Sequence, residues 1–135
     1  MKIEEVMTPD PLSLSPAATV REAYALMSER SFRHVPITEN GVLVGLISLT
    51  DIGRLGARVH EILSKTLRDV MTTNLLTVGP DEPIDTAAAK MAMRKINCLP
   101  VIVDGKLVGI VTTYDLLDAL ARRIREHHSD QKLAP

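Results

Sequence analysis

Two short motifs in this 135-residue chain pair a hydroxyl with a carboxylate at the same spacing: Ser48-x-x-Asp51 and Thr112-x-x-Asp115. An ionised carboxylate only accepts hydrogen bonds, and its two oxygens suit a vicinal diol. The hydroxyl three residues earlier stands at the mouth of the helix that each motif opens, beside free N–H groups that favour an anion. There it can donate to a phosphate or sugar oxygen. The same spacing is also a capping box, which stabilises a helix start by about 1 kcal/mol with nothing bound. Spacing alone leaves both readings open, and the matched glycines Gly45 and Gly109 weigh toward binding. Arg33-His34-Val35-Pro36 forms a second cluster. Arginine makes paired contacts with phosphate and histidine adds a donor; a solvated arginine and a surface histidine are the plainer alternative.

Other chemistries lack residues to rest on. G-x-S-x-G, G-x-x-x-x-G-K-[ST] and H-E-x-x-H are absent, and so is a nucleophile–base pair, so no enzyme is expected. The single cysteine, Cys98, excludes an internal disulfide and a four-cysteine zinc site, and it has no activating neighbour in sequence. His127-His128 supplies too few ligands for a specific metal site. Sixteen Lys+Arg against seventeen Asp+Glu give a net charge of −1, where a phosphate-backbone binder shows a basic excess. With no Trp, one Phe and two Tyr, a base-stacking platform is also missing, so nucleic acid is not an expected partner. The longest apolar run, Gly41–Leu49, has nine residues, where a membrane span needs roughly 20. Glu4 and Glu5 stand where a secretory signal would be basic. No membrane insertion and a cytoplasmic location are expected.

The elements that must position these motifs occur twice. At an offset of 64, Val6–Ile52 aligns without a gap onto Val70–Leu116, with 15 identities in 47 positions; chance would give about 3. Two copies are too few for an open solenoid, so a closed pair about a pseudo-twofold axis is expected, with two equivalent clefts. Leu12–Leu14 and Leu76–Val78 alternate as brief strands, with Pro16 and Pro80 as breakers. A helix follows in each copy. In the first, Thr19 and Glu22 form a capping pattern ahead of the stripe Val20, Ala23, Tyr24, Met27; in the second, the stripe is Ile84, Ala87, Ala88, Met91. Asn40-Gly41 and Asp104-Gly105 then join His34–Thr38 to Leu43–Ser48 and Leu99–Val103 to Leu107–Thr112 as hairpins. Second helices begin near Thr50 and Tyr114, a partly helical linker runs from Gly53 to Asp69, and His127–Pro135 reads as a disordered tail.

A β-α-β-β-α unit used twice, headed by Val-Met-Thr and closed by Gly45–Ile52 and Gly109–Leu116, resembles the tandem CBS-domain pair, or Bateman module. The resemblance covers residues 3–125. It implies an α/β (α+β) fold of two repeats about a pseudo-twofold axis. Residues 1–64 hold repeat one with the linker, 65–126 repeat two, and 127–135 the tail. Such pairs bind adenosine ligands (AMP, ADP, ATP or S-adenosylmethionine) between the copies, do no chemistry on them, and regulate a partner protein. A homodimer and an unidentified regulated protein are therefore implied. The apolar faces on more than one side of the helices also call for self-association.

Carried onto matching positions, the resemblance gives Asp51 and Asp115 the ribose, and Ser48 and Thr112 a sugar or phosphate oxygen. Thr50 and Tyr114 lie inside the same motifs. Arg33 and His34 would reach a phosphate. Leu14, Val35 and Pro36 would wall one adenine, and Val78, Leu99 and Pro100 the other. The second copy departs from the first, with Asn97 and Cys98 in place of Arg33 and His34. Unequal clefts are expected. One, with Asp51, Arg33 and His34, would prefer a phosphorylated adenosine; the other would take a less charged ligand or none. The rival reading is a ligand-independent dimerisation scaffold with degenerate pockets.

Overall fold

Both hairpins turn on residue pairs with positive φ: Asn40 (52°) with Gly41 (81°), and Asp104 (51°) with Gly105 (81°). This type I′ geometry matches the twist of flanking strands and selects Asn-Gly and Asp-Gly. In the computed structural model, which describes residues 1–56 and 58–133, β2 (His34–Glu39) and β3 (Val42–Ser48) form the first hairpin, and β4 (Cys98–Val103) and β5 (Lys106–Thr112) the second. A two-residue β1 (Thr8–Pro9) pairs antiparallel with β5, completing one five-stranded sheet. The hairpins meet tip to tip. The Leu43 N–H donates to the Gly105 carbonyl and the Leu107 N–H to the Gly41 carbonyl, both at 3.0 Å. The repeat offset exchanges these two bonds, so the pseudo-twofold axis passes between them.

The helices are α1 (Val20–Arg30), α2 (Leu49–Arg54), α3 (Val59–Ser64), α4 (Leu67–Val70), α5 (Ile84–Arg94) and α6 (Thr113–Leu133). The Thr19 hydroxyl caps α1 by accepting from the Glu22 N–H at 3.2 Å. Val20, Ala23 and Met27 of α1 pack into the first core with Val35, Ile37 and Ile47. Ala87 and Met91 of α5 do the same in the second core with Leu99, Val101 and Val111. Fully burying a side chain of this size contributes about 2 kcal/mol. Among the described residues, no helix is long and apolar enough to cross a membrane.

The heads of the repeats are exchanged. Ile3, Val6 and Met7, which lead into repeat one, close the core of repeat two. Ile62, Leu67, Val70 and Met71, which lead into repeat two, close the core of repeat one. Thr8 registers with Ile110, and Thr72 with Leu46. Gly109 and Gly45 make these crossings possible. A Cβ on Gly109 would collide with the Met7 side chain, and one on Gly45 with that of Met71. The matched glycines that weighed toward binding therefore seat the exchanged heads.

Two expectations are corrected. Leu12–Leu14 and Leu76–Val78 are not strands: each contributes a single parallel bridge, Leu14 to Ile37 and Val78 to Val101. Prolines explain the brevity. Pro36 and Pro100 have no N–H to extend either ladder, so Leu14 bonds only the Pro36 carbonyl and the Thr38 N–H. The tail is not disordered from His127 onward, because α6 runs without a break to Leu133. No glycine or proline interrupts the sequence between Gly109 and Pro135, so nothing stops that helix. The last two tail positions lie outside the described residues.

Candidate functional site

Both α1 and α5 end the same way. Ser31 and Lys95 turn left-handed (φ 58° and 54°), and the next N–H, of Phe32 or Ile96, donates back to Met27 or Met91 at 3.1 Å. This is the Schellman closure. It delivers Arg33 and Asn97 to the start of the hairpins. Their carbonyls accept from the first N–H of the closing helices: Leu49 to Arg33 at 2.8 Å, Thr113 to Asn97 at 3.0 Å. Strand register then sets His34 opposite Ser48 and Cys98 opposite Thr112.

One cleft of about 930 Å³ opens where these parts meet. Repeat one supplies Arg30, Ser31, Phe32, Arg33, His34, Pro36, Ser48 and Thr50. Repeat two supplies Asn97, Ile110, Thr112, Thr113, Tyr114 and Asp115. The exchanged head adds Thr8, Asp10, Pro11 and Leu12. Sequence reasoning missed the head. Its signal was a glycine inside each closing strand, which marks close backbone approach.

Two carboxylates share this cleft with Arg33 and His34, Asp115 of repeat two and Asp10 of the exchanged head; Asp51 does not line it. The sequence groups Asp51 with Arg33 and His34; the Asp51 charge does act on His34, while the cleft itself draws on both repeats. Leu14, Val35 and Val78 pack in the two cores, with Val35 and Val78 buried. Leu99 and Cys98 are buried as well; of the expected adenine walls Pro36 borders the cleft, although its side chain is as buried as that of Pro100.

Both capping boxes form. Ser48 donates its N–H to Asp51 Oδ2 at 2.9 Å and accepts from the Asp51 N–H through Oγ at 3.0 Å. Asp115 Oδ2 accepts from the Thr112 N–H at 2.8 Å and from the Thr112 hydroxyl at 3.0 Å. The two hydroxyls thus differ. The Thr112 proton points at its own carboxylate, whereas Ser48 only accepts inside its box and keeps a proton to donate.

Burial lowers the His34 pKa below its ordinary value, with the Asp51 charge opposing and the Arg33 charge reinforcing the shift. His34 is therefore neutral near pH 7, able to donate from one ring nitrogen and accept on the other. Burial, helped by the nearby Asp115, pushes the Cys98 thiol up to about 12. It stays protonated and chemically quiet.

Residues 3–56 and 67–122 each match the family model of the CBS domain. The chain is 31% identical over 114 residues to the CBS domain-containing protein YhcV of Bacillus subtilis, covering 84% of this chain and 81% of that one. It is 34% identical over 116 residues to a homoserine O-acetyltransferase of Methanohalobium evestigatum, covering 84% of this chain but 23% of the relative. The chain thus spans less than a quarter of that curated relative's length. Among solved structures, the CBS domain pair of protein MJ0100, in complex with 5′-methylthioadenosine and S-adenosyl-L-methionine, superposes with a TM-score of 0.81 at 29% identity, over 91% of this chain and 98% of that one. CBSX2 in complex with AMP superposes with a TM-score of 0.80 at 25% identity, over 90% and 97%.

Proposed function

Because the chain belongs to the CBS-domain family, as two domains in tandem, we propose that it is a non-catalytic regulatory module whose inter-repeat cleft binds an adenosine ligand. The observation that carries this reading is the composition of that cleft, which combines Arg30, Arg33 and His34 with the Asp115 carboxylate and the Ser48 hydroxyl. Arg33 suits a phosphate through a paired contact. Asp115 Oδ2 is held by its own repeat, and Oδ1 serves a ribose hydroxyl. The Ser48 proton reaches a sugar or phosphate oxygen. The ligands of the MJ0100 pair and of CBSX2 support the adenosine class. Because the cleft is shared by both repeats, its occupancy favours one relative placement of the two. A partner protein that reads that placement is regulated by the difference in ligand affinity between states. The compartment that fits is the cytoplasm, where adenosine nucleotides are made and used.

The rival scaffold reading rests on one observation. Both closing carboxylates are already occupied in capping boxes, so neither requires a ligand. Calorimetry on nucleotide-stripped protein separates the two. AMP, ADP, ATP, S-adenosylmethionine and 5′-methylthioadenosine are titrated to millimolar levels. Binding of at least one is expected, and silence across the panel favours the scaffold. Arg33→Ala is expected to weaken AMP about tenfold or more. It leaves 5′-methylthioadenosine, which has no phosphate, nearly unchanged.

A further inference from the structure

The charges that line the inter-repeat cleft come close to cancelling. Arg30 and Arg33 bring two cations, Asp10 and Asp115 bring two carboxylates, and His34 is neutral near pH 7. The positive end of the α6 dipole is met by Asp115 in the first turn of that helix. Asp115 is already engaged with Thr112. The other three charges are exposed, and no ion pair among the described residues engages Asp10, Arg30 or Arg33. They are left to act on whatever enters the cleft.

Among these charged residues, two distinguish the repeats. At the repeat offset Arg30 matches Arg94 and Asp115 matches Asp51, but Asp10 becomes Asn74 and Arg33 becomes Asn97. Repeat one thus carries one extra negative and one extra positive charge. The exchange of heads places the negative one on the strand of repeat two, where the Asp10 N–H donates to the Val108 carbonyl at 3.0 Å. The cleft then unites it with Arg33. Pro9 and Pro11 flank Asp10 and restrict the backbone on either side, so the carboxylate is carried on a stiff stretch of chain.

Size does not choose among adenosine ligands here. A volume of about 930 Å³ lies in the upper part of the usual range for small-molecule sites, roughly 300–1,000 Å³, and it admits a triphosphate as well as a monophosphate. Charge does choose. Taken as a sphere, the cleft is about 12 Å across, little more than the Debye length of about 8 Å at physiological ionic strength. Each phosphate beyond the first therefore brings negative charge within reach of Asp10, with no further cation of the cleft to receive it.

We propose that Asp10 is a specificity-determining residue that restricts the cleft to adenosine ligands with no more than one phosphate. This rests on the adenosine reading above and narrows it. Arg33 and Arg30 receive the single phosphate, Asp115 keeps the ribose, and the Asp10 carboxylate repels a β- or γ-phosphate. A ligand whose tail is uncharged or cationic meets no such opposition.

Titration calorimetry in magnesium-free buffer tests this with AMP, ATP and 5′-methylthioadenosine. Wild type is expected to bind AMP about tenfold or more tightly than ATP. ATP bound as tightly as AMP overturns the proposal. Asp10→Asn removes the charge and keeps a side chain that tolerates the left-handed backbone at this position, φ 47°. It is expected to strengthen ATP about tenfold and AMP about threefold or less, and to leave 5′-methylthioadenosine unchanged. Equal gains for ATP and AMP, or no gain for either, overturn the proposal. The wild-type preference is also expected to narrow as salt is raised from about 50 to about 500 mM, a readout that needs no variant. A preference indifferent to salt assigns the discrimination to shape and overturns the role of Asp10. Silence toward all three ligands sinks the adenosine reading itself, whereas binding without discrimination by phosphate number sinks this inference alone.

Discussion

Repeat one and repeat two share strand register, turn type, helix closure and capping box, yet they are finished differently. Where repeat one carries Arg33 and His34, repeat two carries Asn97 and a buried Cys98. Where repeat one has Gly53 and Gly56 and packs Ile62 of α3 into its core, repeat two has Leu117 and Leu120, both exposed. The backbone hydrogen bonds that close each repeat are the same on both sides of the axis. Duplication therefore fixes the frame through the backbone, and side chains at a few matched positions divide the labour. One half supplies the cations of the cleft, and the other keeps the more exposed apolar helix face.

The comparison is broken hardest at the glycines that seat the exchanged heads. A methyl group on Gly109 would meet both the Met7 side chain and the Thr8 carbonyl oxygen, the latter at 3.1 Å; one on Gly45 would meet only the Met71 side chain. A side chain yields more readily than a strand backbone. Gly109→Ala is expected to cost about 2 kcal/mol in urea denaturation and Gly45→Ala less than half of that. Equal losses would mean that the two crossings are mechanically alike.

A smaller effect separates the two carboxylates. Asp115 lines the cleft with Arg33 and His34, and Asp51 does not. Titration calorimetry with AMP is expected to show Asp115→Ala weakening binding about tenfold, with Asp51→Ala changing it about threefold or less. The opposite order would restore the pairing within a single repeat.

The smallest effect is a pH slope that only repeat one should show. The folded His34 pKa lies below its unfolded value. The unfolded chain therefore binds more protons as pH falls through the ordinary histidine value of about 6.5. Stability is full above that pH and declines below it. The melting temperature is expected to drop on acidification from pH 7.5 to pH 5.5 by more in wild type than in His34→Gln. The counterpart Cys98, with its thiol pushed up to about 12, stays protonated throughout that window and adds no slope.

Local chemistry made much of this legible. Asn40-Gly41 and Asp104-Gly105 announced the hairpins, the offset of 64 announced the axis, and Ser48 and Thr112 marked where the closing helices start. Long-range pairing was not legible. Nothing near Thr8 says that it will register with Ile110, because that choice is made by the shape of a distant strand with a glycine in it. Nor was it legible which closing carboxylate would line the cleft with Arg33, because Asp115 and Asp51 are equivalent in sequence. The tail misled for a local reason. Its polar composition suggested disorder, but a helix already nucleated at Thr113 extends through polar residues at little cost.

The exchanged heads also decide what can be taken apart. Ile3 and Met7 are plugs for a core that belongs to the far half of the chain, and Ile62 and Met71 are plugs for the near half. A protease that nicks the backbone between α2 and α3 leaves two fragments still clasped together. Expressing either half alone leaves it with an unplugged interior. The molecule behaves as a buckle: prying the halves apart and melting either one are the same event, so a ligand wedged between them tightens both.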